Sequence, residues 1–304
     1  MKNLAAIDLG SNAIRMSVGY LTPKKRFKLL EKMREPIRLG AEVFDQGLLS
    51  PQTIESTVLA LRKFKERLSA DTKVRAIGTS AIREAKNKDV LIQRIREETG
   101  IEVQVISGDE EGRLIHLAID TALELDDRPG MVVDIGGGSV EFVLFENHKT
   151  SIIQSFPLGT VRTLLQKQEG NLPANDVSIR DKIFAHRSAI LEIIRKFQKH
   201  VEICVGTGGN FVALGQLRVD LLGKRNTNLI KKADIYEIID NLMTLGYSGR
   251  IHKLGMRPDR ADVILPAAFI VQLVFECVGL DEISVPEVGL REGIIEDWIN
   301  QLSK

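Results

Sequence analysis

VVDIGGGSVEFVLFE, residues 132–146, decides the fold. An apolar run ends in Asp134, three glycines and Ser139 follow, and an apolar and acidic alternation then resumes. A dinucleotide-binding loop would need G-x-G-x-x-G opening a helix. Here Val140, Phe142 and Leu144 alternate with Glu141, Val143 and Phe145, which is the period of a second strand. The glycines therefore join strand to strand.

The same design occurs earlier. In AAIDLGSNAIRMSVGY, residues 5–20, aligning Asp8 with Asp134 pairs Gly10 with Gly136, Ser11 with Gly137, Asn12 with Gly138, Ala13 with Ser139 and Ile14 with Val140, without a gap. Each copy opens one half of the chain, so one domain design is used twice. A chain of 304 residues with 43% hydrophobic content is long enough for two cores. Between the copies the order is α/β. Residues 51–68 carry a helical stripe (Ile54, Val58, Leu61, Phe64, Leu68) with Ser50 as cap and Pro51 at the first helical position. KVRAIGTS reads as a strand, 89–99 as a helix, IEVQVIS as a strand and 108–124 as a helix. After the second copy the chain is richer in helix, over 179–199, 235–245 and 261–278, interrupted by the strand-like EICVGTGGN. The expected domains are 1–124 and 125–289, with a C-terminal helix, 290–304, packing back on the first.

Turns rich in Gly, Ser and Asn gather backbone N–H groups into nests that bind phosphate. A lone copy would be an ordinary hairpin. Two gapless copies, each with Asp at the strand end, point to phosphate and a cation, gripped by nests facing each other across a cleft. A third element, VGTGGNFVAL (residues 205–214), follows a strand and opens an apolar periodic segment, so Gly206, Gly208 and Gly209 are candidates for placing helix N–H groups at an anion. No G-x-x-x-x-G-K-[ST] occurs, which excludes a P-loop.

ISGDEEGRLIHLAID opens a helix, with Ser107 as cap and Glu110 as its capping-box partner. Capping accounts for Asp109 and Glu110 but leaves Glu111, which shares a face with Leu114, Ile115 and Ala118. A carboxylate on the edge of a buried stripe is suited to general-base duty. In GTSAIREAKN, Arg83 falls in a first helical turn, against the dipole preference, and a bound anion would explain it. The five histidines show no metal-ligand spacing. Any metal is expected to be a hard cation, Mg²⁺, shared between Asp8, Asp134, Glu141 and phosphate.

Lys and Arg total 42 against 41 acidic residues, a net charge of +1, which gives no electrostatic ground for a nucleic-acid or membrane-surface partner. Cys204 and Cys277 lie far apart with no CxxC, and no signal-peptide h-region opens the chain, so a reducing cytoplasm is expected. Residues 261–278 are broken by Pro266 and carry Asp262 and Glu276, too short and polar to span a bilayer; they read as a buried helix.

In order along the chain, AAIDLGSNAIRMSV, GTSAIREAKN, SGDEEGRL, VDIGGGSVEFV, GTGG, RADVI and VGLREG resemble the exopolyphosphatase/guanosine pentaphosphate phosphohydrolase (Ppx/GppA) family. The resemblance implies two ribonuclease-H-like domains of the actin/Hsp70/acetate-kinase superfamily flanking an active-site cleft. It implies release of orthophosphate from inorganic polyphosphate or guanosine pentaphosphate, assisted by Mg²⁺. Glu111 matches the family's water-activating glutamate. Asp134, Gly136, Gly137, Gly138, Ser139 and Glu141 match its second phosphate loop, and Ser11, Asn12 and Arg83 match first-domain contacts. Arg15 and Arg260 match positions implicated in holding guanosine tetraphosphate. Departures are Gly112 after the acidic pair, where many members have Ala, GTGGN in place of Gly-x-x-Gly-Thr, and a chain ending before the helical C-terminal domains of long members. An idle guanosine tetraphosphate sensor and an ATPase or kinase of the same superfold stay open as alternatives. So does a homodimer, since an apolar C-terminal helix suits a dimer as well as a core.

Overall fold

The computed structural model describes residues 2–123, 125, 127–165 and 176–301. Contacts divide the chain into two units. One runs to Ala118 and takes back the segment from Leu290 onward; the other is Ile119–Gly289.

In the first unit β1 (Lys2–Leu9), β2 (Ile14–Leu21) and β3 (Phe27–Glu35) form a meander, followed by α1 (Leu39–Gln46) and α2 (Pro51–Glu66). Then come β4 (Lys73–Gly78), α3 (Ser80–Glu84), α4 (Lys88–Thr99), β5 (Val103–Val105) and α5 (Gly108–Leu123). The expected helix end at Glu124 lies outside the described residues. Among those described, five strands make one sheet in the order β3-β2-β1-β4-β5, with β1 antiparallel to β2 and parallel to β4. The cap expected for the helix over 51–68 is present: Ser50 Oγ accepts from Thr53 N at 3.1 Å and Pro51 opens α2.

Strand alternation sorts side chains between the two sheet faces. Ala5, Ile7 and Leu9 of β1 and Ile14, Met16 and Val18 of β2 join the larger core under α2 and α4. Ala6 points the other way, into a smaller cluster with Ile77, Leu114, Ile294, Ile295 and Ile299. Asp8 and Arg15 follow that second parity.

The second unit repeats the plan. β6 (Gly130–Ile135), β7 (Val140–Glu146) and β8 (Lys149–Phe156) form the meander, then α6 (Thr160–Leu165), α7 (Asp176–Phe184) and α8 (Arg187–Phe197). β9 (Ile203–Thr207), α9 (Gly208–Leu222), β10 (Leu229–Lys231), α10 (Lys232–His252), α11 (Pro258–Ala261), α12 (Ile264–Val278) and β11 (Glu282–Ser284) complete it. The sheet order is β10-β11-β9-β6-β7-β8, with β6 antiparallel to β7 and parallel to β9. In both units the strand that opens the copy sits centrally between its hairpin partner and a parallel strand. The fold is α/β, with two ribonuclease-H-like domains.

Two long helices differ from expectation. The segment 179–199 is two helices, α7 and α8, separated at Ala185 and His186, and the break lets Ile179 and Ile183 as well as Ile190, Ile193 and Phe197 reach one core. α10 continues past the expected end to His252, but through a non-helical Gly246 (φ 58°, ψ −178°). Arg250, buried, bridges this break by donating from Nε and Nη2 to Leu242 O at 3.0 and 2.9 Å. Most of the segment 261–278 is the buried helix α12, Ile264–Val278, in which every residue but Glu276 is buried.

The last helix, α13 (Leu290–Gln301), packs against β1. Gly293 is required there, because a Cβ would fall 2.0 Å from Leu114 O of α5. Buried Asp297 accepts from Arg75 Nη1 at 2.6 Å and from Arg113 Nη2 at 2.8 Å, which pins the helix by charge as well as by its isoleucines.

Candidate functional site

In the first unit the β1–β2 turn is held from outside itself. Gly40 N, at the start of α1, donates to Ser11 O at 2.9 Å, and Arg38 Nε donates to Asn12 Oδ1 at 2.7 Å. Ser11 Oγ and Ser80 Oγ lie 2.9 Å apart, tying the turn to α3, and Ala13 is fully buried beneath it. Asp8 Oδ2 accepts from Arg15 Nη1 at 3.3 Å. Burial pushes the Asp8 carboxyl above its usual range, and the positive charges of Arg15 and Arg291 oppose that rise.

Glu111 is 6% exposed on the first turn of α5. Ser107 Oγ caps that turn, accepting from Glu110 N at 3.1 Å. The Glu110 carboxylate grips Arg113 at 2.7 and 2.8 Å. Arg83 Nη1 donates to Ile106 O at 2.7 Å and stands 3.7 Å from Glu111 Oε2. α3 is only Ser80–Glu84, so Arg83 lies in its last turn, with the dipole rather than against it as expected, and it has a carbonyl and a carboxylate as partners.

In the second unit Asp134 and Glu141 are direct cross-strand partners, and Thr207 is the parallel neighbour of Asp134. Glu141 is 1% exposed and accepts from Ser155 Oγ at 2.8 Å. The turn between them closes through Gly136 N donating to Ser139 O at 3.0 Å, so this amide serves the turn rather than a ligand. The carbonyls of Gly136 and Gly137 accept from the first amides of α6, Thr160 N at 3.1 Å and Val161 N at 2.8 Å, and Gly138 O accepts from Arg162 Nε at 2.7 Å.

Gly206 is not a loop residue. It lies in β9, where a Cβ would meet the Phe211 ring at 2.2 Å, so close packing explains it. Gly208 and Gly209 open α9. Gly208 has φ +86°, and its Cβ would sit 2.5 Å from Asp134 Oδ1, so only glycine lets the carboxylate approach the helix start. Arg260 Nη1 donates to Asn210 Oδ1 at 2.7 Å, and Asn210 Nδ2 donates to Ile135 O at 2.6 Å, linking α11 through α9 to the end of β6.

These carboxylates differ in their fitness for a metal. Asp134 and Glu141 offer hard oxygen donors from opposite residues, whose Cβ atoms stand about 4.5–5.5 Å apart. One or two carboxylates plus phosphate oxygens and water suit Mg²⁺. Among the described residues no group of three or more His, Cys, Asp or Glu side chains gathers.

The sequence profile of the Ppx/GppA phosphatase family matches residues 19–302. The chain belongs to the Ppx/GppA phosphatase family. A guanosine-5'-triphosphate,3'-diphosphate pyrophosphatase from Photobacterium profundum is 28% identical over 301 residues, 98% of this chain; the chain spans 59% of that relative's length. The solved Ppx/GppA member of Aquifex aeolicus is 25% identical with a TM-score of 0.80, covering 100% of this chain and 99% of that one. An exopolyphosphatase from Cytophaga hutchinsonii shares the fold at 24% identity, with a TM-score of 0.89 over 99% and 98% of the two chains.

For this Ppx/GppA chain the structure adds residues that turn spacing alone did not indicate. Leu39-Gly40 and Leu158-Gly159 are a further echo between the halves. A Cβ on Gly40 would meet Ser11 Cβ at 3.0 Å, and one on Gly159 would meet the Gly137 and Gly138 backbone at 2.3 Å. Each turn is thus seated on a Leu-Gly step at a helix start and held by an arginine, Arg38 or Arg162. The signal was the Leu-Gly dipeptide after each third strand, hidden by unequal spacing.

Proposed function

We propose that the chain hydrolyses terminal phosphoanhydride bonds, releasing orthophosphate from inorganic polyphosphate or guanosine pentaphosphate. The observation that carries the proposal is Glu111, a 6%-exposed carboxylate set 3.7 Å from the Arg83 guanidinium in a chain of a phosphatase family. Glu111 accepts the proton of the attacking water, and Arg83 fixes the orientation of its carboxylate. The polar turns after Asp8 and Asp134 meet anionic oxygens, with Ser11, Asn12 and Ser139 as side-chain donors. Asp134 and Glu141 would hold Mg²⁺, which when bound neutralises charge on phosphate oxygens. The name of the Photobacterium relative supports the nucleotide substrate, and the motif set supports polyphosphate.

The test is orthophosphate release by wild type and Glu111→Gln over short polyphosphate, long polyphosphate and guanosine pentaphosphate, with and without Mg²⁺. Loss of the base is expected to lower the rate by about 10²–10⁴ while substrate binding persists. Wild-type release by Glu111→Gln would remove Glu111 from the chemistry.

A further inference from the structure

The second sheet carries a row of polar residues that extends beyond the turn motifs. The ladders set Thr207 of β9 beside Asp134 of β6, Asp134 opposite Glu141 of β7, and Glu141 opposite Ser155 of β8. Ladder partners share a sheet face, so four polar side chains cross four adjacent strands on one side. In the first unit the same four positions hold Ile77, Asp8, Arg15 and Arg34. Hydroxyls therefore flank the row that has two carboxylates and are missing from the row that has one.

The two hydroxyls serve different partners. Thr207, fully buried, gives its single hydroxyl proton to Val288 O at 2.6 Å, so it has none to give Asp134. Ser155 Oγ donates to Glu141 Oε1 at 2.8 Å. Glu141 is 1% exposed, and a carboxylate so buried requires hydrogen-bond partners. Its side chain has three rotatable bonds, whose freedom must be given up before both carboxylates can serve one ion. Facing Asp134 across the ladder, it also meets a like charge that repels it until a cation is present. A hydroxyl on the next strand over, holding one oxygen of a planar carboxylate, restricts where the other oxygen can lie.

We infer that Ser155 is a positioning residue for the divalent cation: its hydroxyl holds the Glu141 carboxylate in the orientation in which Glu141 and Asp134 take a hard cation together. The inference rests on the reading of Asp134 and Glu141 as metal donors given above. Ser155 acts through Glu141 and is not itself a ligand. The partner of a metal ligand commonly sets the affinity of the site in this way.

The experiment uses the full chain and three readings: Mn²⁺ affinity by electron paramagnetic resonance, tripolyphosphate binding by calorimetry in the presence of EDTA, and thermal stability in EDTA. Ser155→Ala is expected to weaken Mn²⁺ about ten-fold, the loss typical when the hydrogen-bond partner of a ligand is removed. Its tripolyphosphate binding should stay within about two-fold of wild type, which separates the effect from general damage. Ser155→Thr and Ser155→Val have nearly the same shape and differ in the hydroxyl. Thr should bring Mn²⁺ affinity to within about three-fold of wild type, and Val should not. Glu141→Gln sets the scale by losing at least about ten-fold. Equal Mn²⁺ affinity in Ser155→Val and Ser155→Thr overturns the inference, as does a Ser155→Ala chain that loses thermal stability while keeping its Mn²⁺ affinity. If Ser155→Ala does not fold, the Thr and Val pair decides. Wild-type Mn²⁺ affinity in Glu141→Gln overturns both this inference and the metal reading beneath it, whereas loss in Glu141→Gln with none in Ser155→Val strikes this inference alone. A chain that shows the expected Mn²⁺ series but releases no orthophosphate refutes the hydrolase reading and leaves the role of Ser155 standing.

Discussion

Gly293→Ala tests whether α13 is fixed by close approach to α5. The added Cβ would lie 2.0 Å from Leu114 O and 2.6 Å from Leu114 C, against an ordinary carbon–oxygen separation of about 3.3 Å. Backbone cannot yield as a flexible side chain does, so α13 must lift by about 1 Å. Its Ile294, Ile295 and Ile299 are buried against Ala6, Ile77 and Leu114. Each buried isoleucine is worth about 1.5–3 kcal/mol, and a gap of 0.5–1 Å forfeits about a quarter to a half of the contact energy. The loss is then about 1–4 kcal/mol, set against a helix-propensity gain of about 1 kcal/mol for replacing glycine by alanine. The clash wins, with a net destabilisation of about 2 kcal/mol. The single tryptophan, Trp298, lies on α13, so urea unfolding followed by its fluorescence and by far-ultraviolet dichroism separates local from global change. The fluorescence midpoint should fall, ahead of the dichroism. A variant as stable as wild type, or more stable, would show that α13 does not sit on α5 as described.

The pinning of Asp297 predicts an acid limb to stability: burial pushes its carboxyl up, but hydrogen bonds from Arg75 and Arg113 outweigh that and hold it below its usual value. A depressed folded value means stability present above about pH 4 and lost as pH falls through the folded value, so Asp297→Asn should lower stability at neutral pH and flatten the decline below pH 4 in a pH series of urea midpoints. Gly159→Ala would set a Cβ 2.3 Å from the Gly137–Gly138 backbone and is expected to weaken tripolyphosphate binding at least ten-fold, by about 1.4 kcal/mol or more, measured by calorimetry. Gly208→Ala combines φ +86° with a Cβ 2.5 Å from Asp134 Oδ1; it should lower thermal stability by about 1–3 kcal/mol and raise the Mg²⁺ needed for half-maximal orthophosphate release.

The two hairpins were readable because duplication is information internal to the sequence, and a turn that joins two alternating runs needs no distant partner to be recognised. The edge strands β3 and β8 were not. FKLLEKMRE has no fully buried residue and KTSIIQSF only Phe156, so one-sided apolar alternation is diluted by the polar residues that protect a sheet edge. The break between α7 and α8 carries no Gly or Pro and follows from what the core must receive, which is tertiary information. Charge partners were the least readable feature. Local reasoning put Arg83 in a first helical turn and offered a bound anion; the helix is too short for that, Arg83 lies in its last turn, and the chain supplies Ile106 O and Glu111 itself, 23 and 28 positions further on. The same limit applies to Asp8. Its resemblance to Asp134 lies in the turn, while its difference lies across the ladder at Arg15 and on a helix at the other end of the sequence. Two copies of one hairpin can therefore match along the chain and still differ in charge, because the ladder partner and the packed helix set the charges around each aspartate.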